Sequence, residues 1–370
     1  MLRHKTREWL PEFTKNILRQ IFVSSSKSAT GRIKNQPPLR GVRVIELAGL
    51  APAPFCGLIL ADFGASVTRI VKPKEDALIE DCLTRGKRTI EVDLKTQQGI
   101  ETVSNLCFNA DILIDPYRPG VLEKLGLGSS KLLRNNGRLI IARITGYGQT
   151  GPLAQSAGHD INYVAMSGLL PTISHNRQQP FPPANLLADF AGGGLSAAFG
   201  ILLAIFEREK SNKGQVIDVS MTEGLAYLGS FVNLTRHWQS FWDRDRGVLS
   251  GNYPVYRTYK AADGKFLAVG ALENKFQENL FKGLKLPITS SDVENRPEYV
   301  SDLLEKEFVQ KTRDEWMEIF KDCDACVSPV LEMDEVGEHH HHIFRANFTF
   351  DGEKHTVPRP SPRLLRTPAV

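Results

Sequence analysis

The sequence predicts an α/β protein whose large domain is a doubly wound, mostly parallel sheet of Rossmann-like type and whose smaller domain is α+β. Three observations carry this. Across residues 42–219, short β-branched runs alternate with apolar helical stretches, the mark of βαβ units and a parallel sheet. Near Gly247 the alternation gives way to two runs, 255–260 and 266–269, around Ala262-Asp263-Gly264, a hairpin signal. The chain has 370 residues, 41% of them hydrophobic, enough to build two cores.

The elements follow in order. Residues 42–47 read as a strand, with a Gly-, Ala- and Pro-rich loop through Pro54, a helix over 55–63 and a second strand over 67–70. A dinucleotide site would end that second strand on an acid that reaches a ribose hydroxyl. Here it ends Arg69-Ile70-Val71-Lys72-Pro73, which is either a phosphate-binding end or a solvated basic one. The basic turn Arg85-Gly86-Lys87-Arg88 leads to a strand over 89–94, a helix over 97–108 and a strand over 111–115. Tyr117-Arg118-Pro119-Gly120 then marks a turn at the edge where open α/β sheets bind ligands. Two short helices, reaching Leu125 and over 130–134, precede a strand at 138–144. An apolar helix from Asp189 to about Glu207, a strand at 215–219 and one long helix over 221–238 complete the large domain and its linker. In the small domain, helices over 274–284, 300–309 and 312–320 lead to a strand at 326–329. The expected division is a basic extension over 1–37, a large domain over 38–220 plus 333–370, a linker helix over 221–246 and a small domain over 247–332.

Charge and cysteine usage narrow the function classes. Residues 1–37 hold eight Lys and Arg against two acids, which leaves the remainder at 38 basic against 40 acidic residues. The body of the chain therefore does not suggest nucleic-acid binding. The extension, with Arg3, Lys5, Arg7, Lys15 and Arg19 among spaced apolar residues, reads as a mitochondrial targeting segment or as a surface helix or disordered leader. Glu8 and Glu12 count against targeting. No apolar run reads as long enough to cross a bilayer. Five scattered cysteines fit a reducing compartment, and His339 to His342 would need further ligands to hold a metal, so none is expected.

Gly146, Gly148 and Gly151 match G-x-G-x-x-G, but Pro152 and a polar loop follow where a helix should open and no acid lies about 20 residues on. A nicotinamide fingerprint is rejected. The glycines instead let the backbone pass close to an acyl chain or a strand. The longer pattern is more telling: Tyr147-Gly148-Gln149-Thr150-Gly151-Pro152, then Gly158-His159-Asp160-Ile161-Asn162-Tyr163, then Asn185-Leu186-Leu187-Ala188-Asp189-Phe190-Ala191 and three glycines. An imidazole and a carboxylate are suited to exchange protons near neutral pH, whereas each taken singly reads as structural.

In that order the blocks resemble the family III CoA-transferase superfamily, specifically its α-methylacyl-CoA racemase branch, over roughly residues 39–368. The resemblance implies an interlocked homodimer and an acyl-CoA thioester substrate, with coenzyme A as part of that substrate and no separate cofactor. It implies His159 and Asp189 as the two proton carriers on opposite faces of the α-carbon, and Glu273 as the residue that orients the histidine. Lys72, Val92, Asp93, Leu94, Lys95, Arg118 and Lys124 are implied as coenzyme A contacts. Gly158, Asp160, Ile161, Asn162 and Tyr163 are implied as substrate contacts, the Asp160 N–H facing the enolate oxygen. Glu273 alone would read as a helix-start charge. Relatives that transfer coenzyme A use the equivalent aspartate as a nucleophile, and a silent acyl-CoA-binding protein is the third reading. The Gly158-His159-Asp160 block favours the racemase. The chain departs from the family pattern at Leu249-Ser250-Gly251-Asn252-Tyr253-Pro254, where the acyl pocket or the inter-domain contact is expected to differ. It also carries no C-terminal peroxisomal address. Localisation is expected to be mitochondrial or peroxisomal.

Overall fold

A computed structural model describes residues 36–73, 82–173, 179–243, 245–350 and 355–370. The basic residues of the extension read as a targeting segment lie outside these. Strands β1 (Arg43–Leu47), β2 (Ser66–Val71), β3 (Lys87–Glu91), β4 (Ile112–Asp115), β5 (Ile140–Thr145) and β6 (Val216–Ser220) form one parallel sheet in the order β3-β2-β1-β4-β5-β6. The chain order reverses between β1 and β4, which opens a crevice at the C-terminal ends of the strands.

Burial follows from the β-branched runs. β4 and β5 are buried at every residue, as strands covered on both faces must be. Ile112, Ile114 and Ala142 point to one face, packed with Ala53, Leu60 and Ile201; Leu113 and Ile141 point to the other, with Val103, Leu122 and Leu132. Each fully buried Leu or Ile contributes about 1.5–3 kcal/mol. The first face is covered by α1 (Pro52–Asp62) and the second by α2 (Gln97–Phe108), α3 (Val121–Lys124) and α4 (Ser129–Asn135). β1 also buries a charge: Glu46 meets Lys87 Nζ at 2.8 Å, both side chains fully shielded, and Lys87 donates to the Pro54 carbonyl.

After β5 come α5 (Asp160–Ser167), a π-helix (Leu186–Leu195) and α6 (Ser196–Ser211), which continues the π-helix without a break. A regular helix was expected after Asp189. The run Gly192-Gly193-Gly194 brings the wider coil against its neighbours: an added Cβ would stand 2.7 Å from the Met221 carbonyl oxygen at Gly192 and 2.8 Å from that of Pro52 at Gly194. The combined 26-residue helix is long and apolar enough to span a bilayer by length and composition alone, a test that a core helix passes equally. One face, with Ala188, Ala197, Ala198, Ile201 and Ala204, is core; the other exposes Leu195, Phe199, Leu202, Leu203 and Phe206. The single long helix expected over 221–238 is instead α7 (Met221–Leu228), α8 (Ser230–Thr235) and, beyond, α9 (Gln239–Trp242). It breaks at Gly229, where a Cβ would collide with Leu169 at 2.6 Å.

A second core lies beyond. β7 (Tyr256–Lys260), β8 (Phe266–Gly270) and β9 (Val327–Pro329) form an antiparallel sheet whose first turn has Gly264 at φ +82°. It packs α10 (Asn274–Leu284), α11 (Ser290–Asn295), α12 (Pro297–Phe308) and α13 (Arg313–Phe320) around Tyr259, Phe281, Phe308 and Trp316. The Trp316 indole donates to the Phe308 carbonyl at 2.8 Å. α14 (His340–Arg345) carries the histidine run and precedes a hairpin of β10 (Phe348–Phe350) and β11 (Thr356–Pro358) that the sequence did not announce. The C-terminal segment touches both cores: Glu335 pairs with Arg313 at 2.7 Å, and the Val370 N–H donates to the Asp62 carbonyl.

Candidate active site

The C-terminal ends of β1, β4, β5 and β6 enclose a cavity of about 230 Å³ at the reversal of the sheet. Leu50 and Pro52 come from the loop after β1, Pro116 and Arg118 from the turn after β4, Thr145, Gly146 and Tyr147 from the end of β5, and Met221 from the start of α7. His159 and Asp189 both line it.

Glycine and tyrosine shape the histidine's approach. After β5 the chain folds back over Tyr163, whose ring leaves no room for a side chain: a Cβ would stand 2.1 Å from it at Gly146 and 2.7 Å at Gly158. Gly146 thus admits a tyrosine ring, Gly148 (φ +85°) passes close to strand β6, where a Cβ would stand 3.4 Å from Ser220, and Gly151 takes a left-handed backbone (φ +92°). The Tyr163 hydroxyl donates to the Gly158 carbonyl, and Tyr147 meets Tyr163 edge-on at 5.0 Å. His159, in extended conformation, caps α5, and its N–H donates to Asn162 Oδ1 at 3.0 Å. The Asp160 N–H that follows belongs to the first helical turn, whose amides have no acceptor within the helix.

Asp189 sits half-buried in the π-helix, and Asn185 one turn earlier donates to its Oδ2 at 3.3 Å. Burial pushes its carboxyl above the usual carboxylate range; the Asn185 bond opposes that, the charge of Asp160 adds to it and His159 opposes it. Asp160 is bound in turn to the same helix: its Oδ2 accepts the N–H groups of Ala188 at 2.7 Å and Asp189 at 2.9 Å. Sequence reasoning named Asp160 for its backbone alone and missed this side-chain role. It also missed Asn185, four residues before Asp189, where helical spacing offered a signal.

The remaining candidates are more dispersed. Lys72 after β2, Lys95 after β3, Arg118 after β4 and Lys124 at the end of α3 are all exposed along one edge of the sheet, and Arg118 reaches the cavity. β3 ends at Glu91 rather than continuing to Leu94; the Val92 N–H still donates to the Val71 carbonyl, and the chain then turns from Asp93 to Thr96, with Asp93 Oδ1 accepting the Lys95 N–H. The Leu94 side chain is buried in the core beside Val103, so only its backbone is open to a ligand. Ile161 is exposed beside the histidine. Glu273 is not among the residues that line the cavity: it stands exposed at the N-cap position of α10, and its charge acts on Cys326. Leu249 and Ser250, in the divergent segment, line a separate 260 Å³ cavity with Leu169, Phe241 and Trp242, and Tyr253 packs on the second core. Among the described residues no cluster of His, Cys, Asp or Glu is arranged to hold a metal.

The profile of CoA-transferase family III matches residues 39–369. The chain belongs to that family. Among family III relatives, the α-methylacyl-CoA racemase of Mus musculus is 50% identical over 341 residues, which is 90% of this chain and 88% of the relative. The α-methylacyl-CoA racemase of Homo sapiens is 47% identical over 340 residues, again 90% and 88%. A CaiB/BaiF family protein from Brucella suis shares the family III fold with a TM-score of 0.77 at 25% identity, covering 90% of this chain and 94% of that one.

Proposed function

We propose that this enzyme is an isomerase that interconverts (2R)- and (2S)-2-methylacyl-CoA thioesters by 1,1-proton transfer. The observation that carries the reading is the pairing of His159 with a half-buried Asp189 in one cavity at the strand ends, in a chain about half identical to proteins named for this reaction. In one direction the His159 imidazole removes the α-proton, the electron pair moves onto the thioester oxygen, and the neutral Asp189 carboxyl delivers its proton to the opposite face of the carbon. In the other direction the roles exchange. Burial raises the Asp189 carboxyl above its usual range, the direction that an acid role needs. The Asp160 N–H receives the developing negative charge, a contribution on the order of 3 kcal/mol for a preorganised donor.

Lys72, Lys95, Arg118 and Lys124 attract the phosphates of coenzyme A along the sheet edge, with the Val92, Asp93 and Leu94 backbone beside them. The acyl chain meets Gly158, Ile161, Asn162 and Tyr163. No separate cofactor takes part. The exposed apolar face of α6 is covered by a second copy, which brings its own Glu273 toward His159. The enzyme works in mitochondria or peroxisomes.

Incubation of one enantiomer in deuterated water tests the reading. Label at the α-carbon together with loss of stereochemical purity is expected. A covalent acyl-enzyme trapped by hydroxylamine, with no label, would make the chain a CoA transferase with Asp189 as nucleophile.

A further inference from the structure

We propose that the Asp160 carboxylate is a positioning residue that locks the two proton carriers into one frame. The π-helix begins at Leu186, and its first amides have no acceptor behind them within the helix. Two of these, on Ala188 and on Asp189 itself, converge on a single oxygen of Asp160 at 2.7 and 2.9 Å. Asp160 is covalently next to His159 and only 5% exposed. An anion at a helix N-terminus that takes two amide bonds is a strong, directional cap. It comes from α5 rather than from residues flanking the π-helix, so it ties the segment that carries Asp189 to the segment that carries His159. Shifting either helix would break both bonds.

The same carboxylate has an electrostatic effect. Its second oxygen, Oδ1, is buried and takes no hydrogen bond from any described residue, so amide donors offset the charge at one oxygen only. Around Asp189 the other ionisable groups are His159 and Tyr163 on the α5 side, with Tyr147 after β5 and Arg118 after β4; Pro52 and Met221, from α1 and α7, carry no charge. Asp160 is thus the acidic neighbour that raises the proton affinity of Asp189, after burial itself.

This rests on the racemase reading, and two variants separate the failure of one from the failure of the other. Asp160→Asn keeps an oxygen for the two amides and removes the charge. Asp160→Ala removes both, while leaving the backbone N–H of residue 160. α-Proton exchange is measured for each enantiomer across pH, alongside melting curves. For Asp160→Asn, the acid limb for the enantiomer deprotonated by Asp189 is expected to move to lower pH relative to that of the other enantiomer. Asp160→Ala is expected to lose about 10–10²-fold in kcat, as misplaced reacting groups do, with KM within about two-fold. An unmoved limb in Asp160→Asn overturns the proposal, whether or not Asp160→Ala folds. So does a folded Asp160→Ala variant that keeps the kcat of the unsubstituted enzyme. Absence of exchange in the unsubstituted enzyme would instead overturn the racemase reading and with it this one.

Discussion

Asp189 owes its proposed acid role to burial, and that makes a pH signature. When it serves as base it must be ionised, so activity in that direction is lost as pH falls through its raised pKa. The loss is expected to begin above the range of an ordinary aspartate, near pH 4. Removing one carrier isolates the other. His159→Ala and Asp189→Asn should each abolish racemisation by about 10²–10⁴-fold and retain exchange of opposite enantiomers, read by mass spectrometry of the recovered thioester. Equal residual exchange of both enantiomers in each variant would show a single base serving both faces. Away from the chemistry, Lys72 and Lys124 are exposed cations. Neutral substitutions at both should weaken coenzyme A binding and flatten its salt dependence, as followed by calorimetry at two ionic strengths.

Helices and strands carry the next level of argument. Gly192 and Gly224 face each other where the π-helix crosses α7, and a Cβ on Gly224 would stand 2.3 Å from the Gly192 carbonyl oxygen. Gly224→Ala should therefore cost about 1–3 kcal/mol, as overpacking does, visible as a lower urea midpoint. This contact explains why part of the site was not legible from the sequence. The helix over 97–108 was readable to the residue, because Thr96 caps it by accepting the Gly99 N–H and its apolar positions keep a helical period. The strand alternation and the hairpin at Gly264 were readable for similar local reasons. The break at Gly229, the widened coil around Asp189 and the Asp160 cap all depend on side chains far away in sequence: Leu169, Met221 and the residues of α5. Periodicity reports which face is apolar and not how closely two faces approach. Likewise Glu273 matches a family position, while in this chain it stands exposed at the start of α10.

Over the whole molecule, the outward face of α6 sets the expected assembly. Phe199 and Phe206 are exposed on a helix whose other side is core, and contiguous apolar surface of this kind marks interaction sites. Replacing both with glutamate should convert a dimer to a monomer in sedimentation and reduce activity together with it. A monomeric unsubstituted chain that racemises at full rate would contradict the dimer. One continuous helix has Asp189 near its beginning and this apolar face along its later turns. If ligand at one end favours the geometry that the other end needs, thermodynamic reciprocity applies: whatever factor pairing adds to the affinity for acyl-CoA, acyl-CoA must add to the affinity of the subunits for each other. The enzyme would then assemble in step with its substrate supply.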